Sequence, residues 1–114
     1  MTQQLTELKC VPCRGDEPPL TADQAALYQP MVSPEWELVD NLKLRRTFKQ
    51  RNFMRSVLFV NAAAYLAEQE GHHPDMLINF TRVTVELTTH AIHGLSRNDF
   101  IMAAKIDRLA TQEG

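Results

Sequence analysis

At 114 residues the chain is long enough for one domain. A chain of this size buries roughly two-thirds of the surface its unfolded form exposes, so a core without staples is possible. Its 12 basic and 14 acidic residues leave a net charge of −2, which excludes a general attraction to nucleic acid or to an anionic membrane. The first residues lack the basic-then-apolar order of a signal peptide, and no apolar run reaches the ~18 residues of a membrane helix, so a cytoplasmic protein is expected.

Residues 1–19 read as an extended arm before a single domain over 20–114, because Pro12, Gly15, Pro18 and Pro19 interrupt any regular pattern. Cys10 and Cys13 form one CxxC in the arm. A single pair does not complete a four-ligand zinc site, and no βαβ pattern surrounds it to suggest a thioredoxin-like motif. Two free thiols in a reducing compartment are the plain reading.

A first helix starts at Thr21, with Gln24 at capping-box spacing and Leu20 where a hydrophobic staple would begin. Pro30 is expected to end it. Two short strands follow, Trp36–Val39 and a second in which Leu42, Leu44, Arg46 and Phe48 share one face, joined by a tight turn at Asp40-Asn41. Arg46 is the imperfect member of that stripe.

The second helix runs from Phe53, with Val57, Val60, Ala64 and Ala67 recurring at spacings of four and three. It is apolar nearly all round, which predicts cover on more than one side. Gly71 stops it in the manner of a left-handed cap. In the next strand Met76, Ile78 and Phe80 alternate with Leu77 and Asn79, and in the one after it Val83, Val85 and Leu87 alternate with polar residues. One wet and one dry face mark an antiparallel sheet. Ser96 then caps a third helix with Asp99 at the capping-box position, and Phe100, Ala103, Ile106, Leu109 and Ala110 form its stripe. The order α-β-β-α-β-β-α predicts a two-layer α+β domain: a four-stranded antiparallel sheet with helices packed on one face. Such a sheet has free edges, and pairing one across a two-fold axis would give a dimer.

Asp40 and Glu68 bracket a stretch with no acid that holds Lys43, Arg45, Arg46, Lys49, Arg51 and Arg55. Charge runs usually only solvate a surface; the sharper reading is a patch for an anionic partner.

The chemistry centres on four histidines. His72 and His73 leave the second helix, His90 ends the fourth strand on the face of Thr88 and Glu86, and His93 lies in the loop beyond. Imidazole gives and takes protons near neutrality. Positioned acids and bases commonly contribute about 10²–10⁴-fold. For His72 and His73 a helix C-terminal cation pair is the structural alternative. Adjacent residues in extended chain point apart, and Pro74 extends His73, so the two do not easily share one metal ion. The same geometry requires the backbone to turn if both face one pocket. For Asp99 a simple capping role is the alternative.

The stretch Glu68-Gln69-Glu70-Gly71-His72-His73-Pro74, then Phe80, His90 and Asp99, resembles the pattern of the pterin-4a-carbinolamine dehydratase family. Thr89-His90, Gly94-Leu95-Ser96, Ala103 and Ile106-Asp107 resemble its C-terminal part, and Trp36 with the entry to the second helix its N-terminal part. The likeness covers about residues 20–110. It implies the same α-β-β-α-β-β-α fold, and dehydration of 4a-hydroxytetrahydropterin to quinonoid dihydropterin, which recycles the pterin of aromatic amino-acid hydroxylases. It implies no metal and no cofactor, a small-molecule pterin substrate, and a homodimer or homotetramer without nucleic-acid or membrane partners. By resemblance His72 and His90 are a proton-transfer pair and His73 orients the pterin, with Glu68, Asp99 and Pro74 in substrate-binding or supporting places. Gly71 departs from better-known members, which often carry a larger polar residue there. Two other readings stand beside it. One is a non-catalytic pterin-binding or assembly protein, for instance in molybdenum cofactor metabolism. The other is an interaction protein that uses Arg45 and Arg46.

Overall fold

Three helices alternate with two hairpins in a computed structural model that describes residues 4–12 and 15–112. Cys13 lies outside the described residues. Helix α1 spans Ala22–Tyr28. Thr21 Oγ1 accepts the Gln24 amide at 3.2 Å and Gln24 Oε1 accepts the Thr21 amide at 2.9 Å, which is the reciprocal cap expected from sequence. Pro30 does not stop the chain at once. It sits in a 3₁₀ turn, Gln29–Met31, that prolongs α1, a place where the missing N–H costs nothing.

Strands β1 (Glu37–Val39) and β2 (Lys43–Lys49) form the first hairpin. Asp40 and Asn41 both take positive φ, 52° and 54°, and the Leu42 amide donates to Val39 O at 2.9 Å. This is the twist that tight hairpins favour. Leu42 therefore belongs to the turn and is half-exposed, not the first member of the inward stripe. The second hairpin pairs β3 (Asp75–Asn79) with β4 (Arg82–Leu87) through Phe80-Thr81. Phe80 likewise leaves its expected strand. It has φ 55° and is exposed, because a two-residue turn needs a left-handed residue there.

The sheet order is β1-β2-β4-β3, antiparallel throughout. Leu44 and Phe48 from β2, and Val83, Val85 and Leu87 from β4, are buried on the inner face. Helices α2 (Phe53–Glu70) and α3 (Arg97–Gln112) pack on that face, α2 against β3 and β4 and α3 against β2 and β4. The protein is thus a two-layer α+β domain. On the outer face, Arg45 and Lys43 reach Glu86 at 2.6 and 3.2 Å, and the Thr47 and Thr84 hydroxyls meet at 3.0 Å across the ladder.

Arg46 points inward with the core residues. Its Nη1 lies 2.6 Å from Asp107 Oδ1 and its guanidinium sits 4.2 Å above the Phe48 ring. Asp107 also accepts Trp36 Nε1 at 2.7 Å and the Ser33 amide at 2.9 Å. One α3 carboxylate thus neutralises the odd cation and ties β2 to α3.

The buried line on α2 runs through Ser56, Phe59, Ala63 and Ala67, while Phe53 is half-exposed and Val57, Val60 and Ala64 are only partly covered. The expected stripe is rotated by one residue. Ser56 is the reason, since its hydroxyl donates to Phe80 O at 2.7 Å and draws that flank against the β3–β4 turn. Helix α3 is buried more widely than its stripe predicts, with Ile101 and Met102 fully covered. The N-terminal residues add to the cover of this helix. A 3₁₀ turn at Leu5–Glu7 packs on α3 and buries Leu5. Further along, Pro19 approaches so closely that a Cβ on Gly94 would sit 2.7 Å from it, so glycine is required there.

Candidate active site

Helix α2 ends at Gly71, whose φ of 67° turns the chain while the Gly71 and His72 amides both donate to Ala67 O. This reversal aims His72 back at the first turn of α3. His72 Nε2 meets Asp99 Oδ1 at 2.6 Å, with the His72 side chain 11% exposed and Asp99 fully buried. Asp99 Oδ2 accepts two more donors, the Ser96 amide at 2.9 Å and the Thr89 hydroxyl at 2.8 Å. The Thr89 hydroxyl has one proton and gives it to Asp99, so the Ser96 hydroxyl, 2.7 Å away, donates to Thr89.

Asp99 therefore caps α3 through one oxygen and orients His72 through the other. The cap is half of the expected box, because Ser96 Oγ turns to Thr89 instead of to the Asp99 amide, which bonds Ser96 O. A carboxylate only accepts, so neutral His72 carries its proton on Nε2 and presents Nδ1 as a base. Nδ1 has no partner among the described residues and is not one of the buried unpaired atoms, so it is open to solvent.

His73 faces elsewhere, as adjacent residues in extended chain do. Its Nε2 is 3.5 Å from Glu68 Oε1, and both side chains are more than half exposed, so the contact is weak and screened. Pro74 is partly buried between this pair and β3. His90 does not end strand β4, which stops at Leu87. It opens a 3₁₀ turn, His90–Ile92, and is exposed. The turn forms because Thr89 is drawn inward to Asp99 and pairs with Gly94, leaving His90, Ala91 and His93 facing outward while Ile92 is buried. His93 closes this turn with φ 54° and is exposed. Phe80 is not near these groups within one chain. It lies at the far end of β3 from Pro74, roughly 17 Å along the strand.

The sequence reading gave Thr89 and Glu70 no role in the site and Ser96 only that of a helix cap. Thr89 and Ser96 bracket the His90 loop at bonding distance from Asp99, and their hydroxyls were the available signal. Glu70 was hidden in an ordinary helix end. It accepts Lys105 Nζ at 2.7 Å and the Cys10 amide at 2.9 Å. Burial alone would raise its carboxyl, but the Lys105 hydrogen bond and charge and the Cys10 amide together hold it below the usual range. Val11 and Asn98 exchange two hydrogen bonds, of 2.9 and 2.6 Å. Residues 10–11 are thereby strapped across the end of α2 and the start of α3, beside His72 and Asp99. Burial pushes the Cys10 thiol up to about 12, with the Glu70 charge adding to the effect.

The fold and the site together describe a two-layer α+β domain with a carboxylate-oriented histidine at the junction of two helices and a second, exposed histidine on the neighbouring loop. A family model for pterin 4 alpha carbinolamine dehydratase matches residues 18–109, and the chain belongs to that family. A provisionally named pterin-4-alpha-carbinolamine dehydratase of Methylococcus capsulatus is 50% identical over 109 residues, 95% of each chain. One of Nitrosomonas eutropha is 47% identical over 105 residues, 92% of each chain. Among solved structures, a transcriptional coactivator/pterin dehydratase from Brucella melitensis superposes with a TM-score of 0.75 at 31% identity, covering 81% of this chain and 98% of its own.

Proposed function

We propose that the protein dehydrates 4a-hydroxytetrahydropterin to quinonoid dihydropterin, a hydro-lyase step that returns oxidised pterin to an aromatic amino-acid hydroxylase. The observation that carries this reading is the 2.6 Å contact between His72 Nε2 and a fully buried, three-fold hydrogen-bonded Asp99. A histidine so held has one tautomer and a fixed ring, as a general base requires. His72 Nδ1 takes the N5 proton of the substrate. The N5 electron pair forms the C4a=N5 bond, and the 4a-hydroxyl leaves with a proton from His90 as water. Solvent exchange then resets both imidazoles. His73 orients the pterin beside them, with Glu68 and Pro74 as its supports, and no metal or added cofactor takes part.

The match beginning at residue 18 supports a domain over 20–114, and the stretch before it, read from sequence as an extended arm over 1–19, packs back on that domain through Leu5 and residues 10–11. Phe53, Met54, Leu58 and Tyr65 on α2 and Leu77 on β3 are exposed apolar side chains that a homodimer or homotetramer would cover. Light scattering on the purified chain measures this. A cytoplasmic location accompanies the reading, and cell fractionation tests it. No helix among the described residues is long and apolar enough to cross a membrane.

The test is an assay coupled to a phenylalanine hydroxylase, following decay of the transient 4a-hydroxypterin. Substoichiometric protein should speed the decay, and His90→Ala should lower the rate by about 10²-fold or more. His90 is exposed, so its truncation should leave stability within about 0.5 kcal/mol of the parent. Folded protein that binds pterin and speeds nothing would sink the enzymatic reading and favour a pterin-binding or assembly protein.

A further inference from the structure

The acid-free stretch between Asp40 and Glu68 carries six cations that the histidine site does not use. The fold sorts them into two groups. Lys43 and Arg45 lie on the outer face of the sheet and share Glu86. Arg46, Lys49, Arg51 and Arg55 instead line one cavity of about 450 Å³, where β2 runs into α2, and Glu35 is the one carboxylate on its wall. This cavity is not at the histidines. The end of β2 pairs with Arg82 at the start of β4, whereas Thr89 and His90 follow the other end of that strand. The two places are therefore separated by about the length of β4, on the order of 20 Å.

Solvation alone does not account for this arrangement. Lys49 and Arg51 have no ion pair or side-chain hydrogen bond among the described residues. Arg46 is mostly buried, and its Nε is a buried donor with no partner, although its Nη1 is satisfied by Asp107. That donor is sealed from solvent, so it records the cost of burying Arg46 and is not a contact for a ligand in the cavity. The first turn of α2 carries no acidic residue, so the positive end of an 18-residue helix adds to the field in place of being neutralised. The volume lies in the range of small-molecule sites, roughly 300–1,000 Å³.

We propose that this cavity is a binding site, separate from the histidines, for a small phosphate-bearing molecule. Guanidinium groups match the oxygens of phosphate in pairs, and Arg51 with Lys49 supplies the uncompensated charge here, while Arg46, already paired with Asp107, and Arg55 complete the wall. A concave site on a chain of net charge −2 fits a small ligand better than a nucleic-acid strand.

The experiment uses the full chain at low ionic strength, with inorganic pyrophosphate as the probe, read by calorimetry and by backbone amide shifts. Saturable binding is expected, with shifts at residues 49–55 and none at His72 or Asp99. Lys49→Gln with Arg51→Gln should weaken binding at least about tenfold, as the loss of two charge-assisted contacts requires. Glu35→Gln should tighten binding, a gain that misfolding does not imitate. Absence of saturable binding, unchanged affinity in the double variant, or shifts centred on the histidines would overturn the proposal. So would a single-stranded oligonucleotide that displaces pyrophosphate at lower concentration than pyrophosphate itself needs, since the ligand class would then be wrong.

Discussion

Replacing Asp99 by Asn changes no shape and tests the proposed role of His72 directly. In the parent, Oδ1 accepts His72 Nε2 at 2.6 Å while Oδ2 accepts the Ser96 amide and the Thr89 hydroxyl at 2.9 and 2.8 Å. The amide oxygen of Asn can keep the last two donors. Its NH₂ then stands where Oδ1 was and can only donate. His72 must accept at Nε2, so its proton moves to Nδ1 and the base becomes a donor. Three charge-assisted hydrogen bonds become neutral ones, which should cost about 1–2 kcal/mol of stability. At about 4–8 °C per kcal/mol, melting should fall by roughly 5–15 °C. Turnover should fall much further, by about 10²-fold or more, because a positioned base is lost. The assay is the coupled decay of 4a-hydroxypterin below the melting transition of both proteins, with pterin affinity measured in parallel. Turnover within a few-fold of the parent, in a variant shown to be folded, would refute the assignment of His72 as an Asp99-oriented base.

Asp107→Ala leaves Arg46, Trp36 Nε1 and the Ser33 amide without their shared acceptor, and should cost about 3–5 kcal/mol in a urea unfolding series. A loss under about 1 kcal/mol would mean that this network is not what ties β2 to α3. Arg45's hydrogen bond holds the Glu86 carboxyl below its ordinary 4.5, with burial opposing. A depressed carboxylate stabilises the fold fully above the unfolded value and loses that contribution as pH falls through the folded one. Glu86→Gln should therefore be less stable than the parent near pH 7, with the gap closing below about pH 4.5; a gap constant with pH would contradict the ion-pair assignment. With its thiol pushed to about 12 from 9.0, Cys10 should be alkylated by iodoacetamide at pH 7.5 roughly 10³-fold more slowly than a free thiol, measured in Cys13→Ser protein. Glu70→Gln should raise that rate, and alkylation as fast as that of glutathione would show that the strap does not shield Cys10.

Sequence alone determined the parts of this protein that depend on near neighbours. The Thr21–Gln24 cap, the Gly71 stop, the Asp40-Asn41 turn and the alternation of Val83, Val85 and Leu87 each rest on residues a few positions apart, where backbone geometry leaves few choices. The order of elements followed from these, and the spacing from Glu68 to Asp99 marked the family. Tertiary structure decided where an element meets something distant. Leu5 is buried because its turn packs on α3, and Ser56 on the inner line of α2 reaches Phe80 O. His90 left the strand once Thr89 was drawn to Asp99. The same holds for the site. His72 and Asp99 are 27 positions apart, and their 2.6 Å contact exists because the Gly71 turn aims one helix end at the start of another. Arg46 found Asp107 across 61 positions in the same way. Periodicity records which face of an element is apolar; the partner that satisfies a buried charge is chosen only when the layers close.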